Sequence, residues 1–580
     1  MNKMMLQQEF DRTLEQLVQR YGCDAYRGYH LEAWLFEDQA SRRAAEQRLA
    51  KFGVAARIRS AYKPLVHAFL EDISLEGVAS VHIRYPRLPE LPQRFLLEAY
   101  PLAALIGDVR LEWEAVDTEA LCYELTMTTH SGQQQSLRVE APNRRHRDHI
   151  GAPQVSPCGW LRLSSPTGEL SETSLLTEYE ALFNSTMECL KNHAWGDQVP
   201  CFEELNFTVS LPAAEMPLPY GHETISLHEA LHEELYFSCL EFFQQRAGLP
   251  LGDRTLKPGQ IVPEILCAEG KPRLEISLRP LDTEDPVRLR VSLDQAPHAL
   301  DSRQIAELLA QFPGTRLETH SRAGRPVRAV HCAGDDAAVI ISAAQHANET
   351  SGIVGALRAA RTLQQRENCH FVLSPLENPD GYALQGRLIA TQPSHMHHAA
   401  RYTAFGNDLQ NQPRGGQYEH AIREQAEAVS GARLHINLHG YPAHEWTRPL
   451  TGYVPRGFEM WTIPKGFFLI LRHHAAWAET GNKLLEELTQ RLARVPGLTE
   501  FNREQIQLFE THAGKLDFPI INGFPCLISE DNTQGTPLML ITEYPDETVE
   551  GEAFIQAHNA QMETILAAYD IWQSLDKPSA

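Results

Sequence analysis

Apolar and polar positions change period along this chain, and the changes mark out its elements. From about residue 300 onward, short apolar runs alternate with stretches of helical spacing. Residues 339–342 read as a buried strand, and 353–363 repeat with the spacing of an amphipathic helix. Residues 370–375 are a second apolar run, 433–441 alternate with period two, and 538–547 are apolar until Glu543 interrupts them. Residues 301–312 predict a helix, and 316–334 a strand, a turn and a strand. This alternation predicts an α/β domain over 300–575 with a largely parallel sheet. Ahead of it the pattern is mixed. Helical spacing at 10–20, 39–52 and 175–192, with strand-like runs near 78–85, 109–116 and 122–129, predicts an α+β domain over 1–210. Residues 211–221 are rich in proline and read as a linker. A helix then opens at Ser226, where Ser226 and Glu229 have capping-box spacing, and ends before Gly248. Residues 272–295 alternate like a β-hairpin, which would close a small accessory unit over 222–298.

Composition narrows the function classes. The chain has 580 residues, enough for several domains, and 52 basic against 75 acidic residues give a net charge of -23. Such a surface repels nucleic acid and anionic membrane, so neither is expected as a partner. Ten cysteines include no C-x-x-C pair, which argues against a thiolate zinc site and for free thiols in a reducing compartment. No apolar run approaches the ~18 residues of a membrane span. The N-terminal stretch is broken by charges rather than built as a signal peptide. The expectation is a soluble, cytoplasmic protein.

The candidate chemistry lies at strand ends. His346 and Glu349 are three residues apart where the strand 339–342 gives way to a helix. Asn378, in an Asn-Pro-Asp-Gly turn, follows the strand 370–375. His439 ends the strand 433–441, and Glu543 lies toward the end of 538–547. In an open parallel sheet such ends converge on one edge. His346, Glu349 and His439 there form a His2Glu set for Zn2+ with one open position. Glu543 is the candidate general base, and Arg387 or Arg401 the cation that steadies an oxyanion. His435 shares a face with His439 but lies inside the strand, and reads as packed. His228-Glu229-Ala230-Leu231-His232 matches H-E-x-x-H. With Glu229 committed to the cap and no third ligand following, it reads as part of a core helix.

With these residues in view, the chain resembles the M14 family of zinc carboxypeptidases over about 300–570. QHANETSG resembles the zinc motif, ENPDGY the Asn-Pro-Asp-Gly-aromatic turn, INLHGY the strand of the third ligand and LITEYP the strand of the catalytic Glu. RYTAFGNDL is similar to the segment in which an Arg precedes G-x-D-L, in a form nearest the cytosolic branch. The resemblance favours Arg401 over Arg387. It implies an α/β/α fold with a mixed sheet, one zinc ion per chain and release of a C-terminal residue from a peptide. Two positions depart from it. Gln410-Asn411 stands where the family has the Asn-Arg pair that grips the substrate carboxylate, and Arg is not replaced there by just any cation. Phe518 and Phe524 stand where many members place a mobile Tyr. Arg414, Arg448, Arg456 or Lys465 are candidate substitute cations. Residues 442–477 read either as a loop or lid shaping the substrate pocket or as a packed insertion; on the first reading Trp446, Arg448 and Arg456 are substrate-binding candidates. The missing pair keeps a second reading open, an amidohydrolase acting on acyl-amino-acid substrates or side-chain amides. A third is a metal-binding regulatory protein without catalysis.

Overall fold

The computed structural model describes residues 2–575, apart from 90, 92, 213–214, 412–414, 534 and the side chain of 459. The chain is a mixed α/β protein, and the C-terminal half is built on one nine-stranded sheet. Its strands are β1 (Thr315–His320), β2 (Pro326–Cys332), β3 (Val339–Ala343), β4 (Phe371–Ser374), β5 (Leu434–Pro442), β6 (Phe468–His473), β7 (Ile520–Ile521), β8 (Phe524–Glu530) and β9 (Leu538–Glu547). They lie in the order β1-β2-β4-β3-β5-β9-β6-β8-β7. The central strands β4, β3, β5 and β9 are mutually parallel. Antiparallel β2 and β6 flank them. Every residue of β3, β4, β5 and β9 is buried, as a sheet covered on both faces requires.

Helices supply that cover. Ahead of the sheet lies α1 (Leu227–Arg246); within the sheet region are α2 (Ser351–Leu363), α3 (Pro379–Ile389), α4 (Ala421–Ser430), α5 (Ala478–Leu492), α6 (Leu498–Ala513) and α7 (Glu552–Leu575). Ile353 and Leu357 of α2, Leu484 and Leu488 of α5 and Phe554 and Ile565 of α7 share a core with Ile341, Ile436 and Leu540 of the sheet. On the other face Ile422 of α4 meets Ile340 and Val372, and Ile506 and Phe509 of α6 meet Ile470 and Ile541. Alternate residues of each strand thus feed two helical layers.

Ahead of this sheet, strands on either side of residues 211–221 pair with one another. Lys3–Glu9, Arg273–Arg279, Glu204–Leu211 and Gln260–Cys267 form one four-stranded sheet in that order. The segments on either side of residues 211–221 therefore share a sheet, which a division at that point would cut. The expected hairpin over 272–295 is also absent. Only Arg273–Arg279 is a strand, and it takes Glu204–Leu211 and the N-terminal strand as partners. Pro280 and Pro286 follow it, and proline interrupts a ladder by lacking an N–H. The alternation beyond them leaves Val287 and Leu289 exposed.

Helix α1 is buried on nearly all sides, its acidic residues included. Its Ser226 cap accepts from Glu229 N–H at 3.0 Å. The Glu229 carboxylate does not return to the cap as a capping box requires. It accepts from His444 Nε2 at 2.8 Å and from Met396 N–H at 2.7 Å. Glu233 accepts from His398 Nδ1, Glu234 from Leu450 N–H and Glu241 from Arg448. An acidic row on one helix thus docks on segments 396–398 and 444–451 of the sheet region.

Candidate metal centre

Strand β3 ends at Ala343, and Ala344 adopts a left-handed backbone with φ of 53°, a conformation rare for a residue with a Cβ. That turn carries the chain into His346 and Glu349 before α2 begins at Ser351. Asp546, at the end of β9, accepts from Ser351 N–H at 2.8 Å and so fixes the start of α2 against the strand of Glu543. Glycine is needed at 440, because a Cβ there would run into the Asp546 carboxylate.

The side chains of His346, Glu349 and His439 converge. Their ligating atoms lie within 4.8 Å of one another, and among the described residues no other three His, Cys, Asp or Glu do so. Glu349 Oε1 is 2.8 Å from His346 Nδ1, and Oε2 is 2.8 Å from His439 Nδ1. The two Nδ1 atoms are 3.0 Å apart. Two imidazole nitrogens and a carboxylate, buried and aimed at one point, fit the donor set of a catalytic zinc site, which leaves a position open. His346 Nε2 lies 3.4 Å from Asp408 Oδ2, an outer carboxylate of the kind that orients a ligating imidazole.

Electrostatics agree with this donor set. Burial pushes the Glu349 carboxyl up, but His346, Arg401 and His439 outweigh it and hold Glu349 well below the usual carboxylate range. Burial lowers His439 to about 4 against the pull of Glu349. Its ring is thus neutral near pH 7, the form that ligates metals.

Arg401 and Glu543 stand beside the cluster. Arg401 Nη1 donates to Glu349 Oε1 at 2.7 Å. Asn378 positions this segment. Its Oδ1 accepts from Gly381 N–H at 2.9 Å and caps α3, and its Nδ2 donates to the Tyr402 carbonyl at 3.1 Å. Glu543 is opposite His439 in the parallel β5–β9 register. It is buried, and its Oε2 has no hydrogen-bond partner among the described residues. Burial and Glu349 push its carboxyl well up, opposed by Arg401 and Lys465.

Other sequence candidates lie elsewhere. Arg387 pairs with Glu204 and Glu264. Arg448 is buried between Glu234 and Glu241 of α1, and Arg456 pairs with Asp148 and Glu241. Trp446 is buried, stacked 5.6 Å from Phe237. These three bind the two halves of the chain together instead of facing an open pocket, because α1 covers the segment that carries them. Arg414 lies outside the described residues. His435 Nε2 contacts Ser342 Oγ at 2.7 Å and is packed, as its place inside the strand predicts. His228 and His232 belong to no three-residue ligating cluster among the described residues. Phe518 and Phe524 are core residues.

Asp408 and Arg254 were not singled out by sequence reasoning. Asp408 sits in the GNDL run, and an imidazole that is to ligate a metal through one nitrogen needs an acceptor for the other. That requirement was a usable signal. Arg254 had none, since it comes from the loop after α1.

No family model and no curated protein matches the chain. Among solved structures it is similar to a metallo-carboxypeptidase from Pseudomonas aeruginosa in complex with (2-guanidinoethylmercapto)succinic acid, at 15% identity over 53% of this chain and 73% of that one, TM-score 0.31. A metallo-carboxypeptidase from Burkholderia cenocepacia is similar at 14% identity over 53% and 76%, TM-score 0.29. The murein-tripeptide amidase MpaA from Escherichia coli O157 is similar at 14% identity over 47% and 96%, TM-score 0.23.

Proposed function

We propose that this chain is a zinc-dependent hydrolase of amide bonds, of the carboxypeptidase type, that releases a C-terminal residue. The observation that carries the reading is the convergence of His346, Glu349 and His439 with Glu543 in register beside His439. Zinc held by the three side chains would supply Lewis acidity to a water and to the scissile carbonyl. Glu543 takes the proton of the attacking water at its unpartnered Oε2 and returns it to the leaving amine. Its carboxyl, raised by burial, suits a group that must both accept and donate a proton. Arg401, held by Glu349, would stabilise charge developing on the carbonyl oxygen with its remaining N–H groups.

A second reading is an amidohydrolase that acts on N-acyl amino acids. What favours it is the cover that α1 places over segments 396–398 and 444–451, which leaves the metal-centre side chains buried. A mixed pool of peptides and N-acyl amino acids, incubated with zinc-loaded and chelated protein, tests both. Chelator-sensitive loss of single C-terminal residues supports the first, and cleavage confined to acyl amino acids supports the second. A zinc-loaded protein that cleaves neither contradicts both.

A further inference from the structure

The missing Asn-Arg pair leaves open which group would read a substrate carboxylate. Most cations near the site are already spent. Arg401 is on Glu349. Arg423 is buried and donates to Glu377, Gln345 and Gln410. Arg448 and Arg456 are neutralised by acids of α1 and by Asp148. Lys465 is wholly buried, with Nζ donating to the Met460 carbonyl at 2.6 Å under the rings of Tyr441, Trp461 and Phe468.

Arg254 differs from all of these. Among the described residues its guanidinium makes no hydrogen bond. Its nearest acid is Asp408 Oδ2 at 3.7 Å, beyond hydrogen-bond distance. The same oxygen is 3.4 Å from His346 Nε2, so one carboxylate oxygen separates this cation from a zinc-ligating ring. The Arg254 side chain is 34% exposed, and its Cζ lies 5.0 Å over the ring of Phe458. The loop itself is fixed. The Arg254 carbonyl accepts from Asp408 N–H at 3.0 Å, and Gly259 N–H donates to the Phe405 carbonyl at 2.9 Å. The fixed loop thus presents a planar, permanently charged fork one carboxylate away from His346, with its donors unspent and open to solvent.

We infer that Arg254 reads the carboxylate of the substrate, so that the loop after α1 completes the site in place of the absent pair. The inference rests on the hydrolase reading above. The ligand class is an amide that carries a free carboxylate, whether a peptide C-terminus or an N-acyl amino acid. A guanidinium can meet such a group with two parallel N–H···O bonds.

The test compares wild type, Arg254→Ala and Arg254→Lys on two pairs of substrates. One pair is a tetrapeptide with a free and an amidated C-terminus, and the other is N-benzoylglycine and its amide. Binding of N-benzoylglycine and its amide to the metal-free proteins is read in parallel by ligand-detected NMR. Wild type should favour the free carboxylate by about 10- to 100-fold in kcat/KM and also in binding. Arg254→Ala should abolish the preference mainly through KM, and Arg254→Lys should restore only part of it. Arg254→Ala is expected to fold, since the docking contact is made by the backbone carbonyl. A preference retained in Arg254→Ala would overturn the inference, as would a wild type that does not distinguish acid from amide. Absence of all turnover would contradict the hydrolase reading, and the binding preference would then decide the role of Arg254 by itself. The substrate pair that is turned over distinguishes a peptide terminus from an acyl amino acid.

Discussion

Replacing Arg448 by Met separates a structural role from a substrate-binding one. Arg448 Nη1 and Nη2 donate to the two oxygens of Glu241 at 2.7 and 3.1 Å, and Nη2 donates to Ser238 at 3.0 Å. Nε lies 3.5 Å from Glu234. All of these side chains are buried. Glu241 keeps Arg456, but Glu234 loses its only ion-pair partner among the described residues. Removing one partner of a buried pair costs about 3–5 kcal/mol, because the charge left behind has no solvent to turn to. Met keeps much of the side-chain volume, so the loss reports charge and not a cavity. We expect a lower urea midpoint with an unchanged slope. Adding Glu234→Gln should recover part of the loss, as contacting residues do not act additively. The assay is urea unfolding of the full chain alongside steady-state kinetics. A variant with unchanged stability and a raised KM would refute the reasoning and return Arg448 to the substrate pocket.

Two further predictions follow from the outer contacts. Burial lowers His444, but Glu229 outweighs it and lifts the ring to about 9 from 6.5. A histidine raised on folding contributes stability that is complete below its unfolded pKa and is lost as pH rises through the folded one. Wild type should therefore lose about 3 kcal/mol more than His444→Gln between pH 6.5 and 9, read as the difference of their unfolding free energies; parallel curves would refute this. Asp408→Asn should weaken zinc binding by about 10- to 100-fold, since Asp408 is the carboxylate nearest His346 Nε2. Competition with a chromogenic chelator measures it, and an unchanged affinity would exclude Asp408 as the group that orients that ring.

The strands that carry the site were legible because they are buried on both faces and read as apolar runs with a polar residue at the end. His439 and His435 illustrate the rule. They lie on one strand and one face, yet only the residue at the strand end reaches the cluster of His346 and Glu349. The cover over the site was not legible, because α1 presents acids to partners some 160 to 220 residues away, such as His398 and Leu450. A run of Glu on a helix reads locally as a solvated face, and only the tertiary partners reverse that reading. The N-terminal sheet was missed for a similar reason. Leu6 pairs with Ile276, and neither strand carries a local mark of the other. Arg448 and Trp446 follow His439, the candidate third ligand, in a loop-like stretch, and nothing local distinguishes a lid from a docking surface.

The central claim is that His346, Glu349 and His439 hold zinc for a reaction in which Glu543 moves the proton. Zinc content and peptide hydrolysis measured together on wild type, Glu543→Gln and His439→Ala test it most directly. The account predicts one zinc per chain and turnover in wild type. It predicts one zinc and a rate lower by about 100-fold or more in Glu543→Gln, and loss of both metal and activity in His439→Ala. A Glu543→Gln variant with full activity, or a His439→Ala variant that still binds one zinc as tightly as wild type, would contradict it.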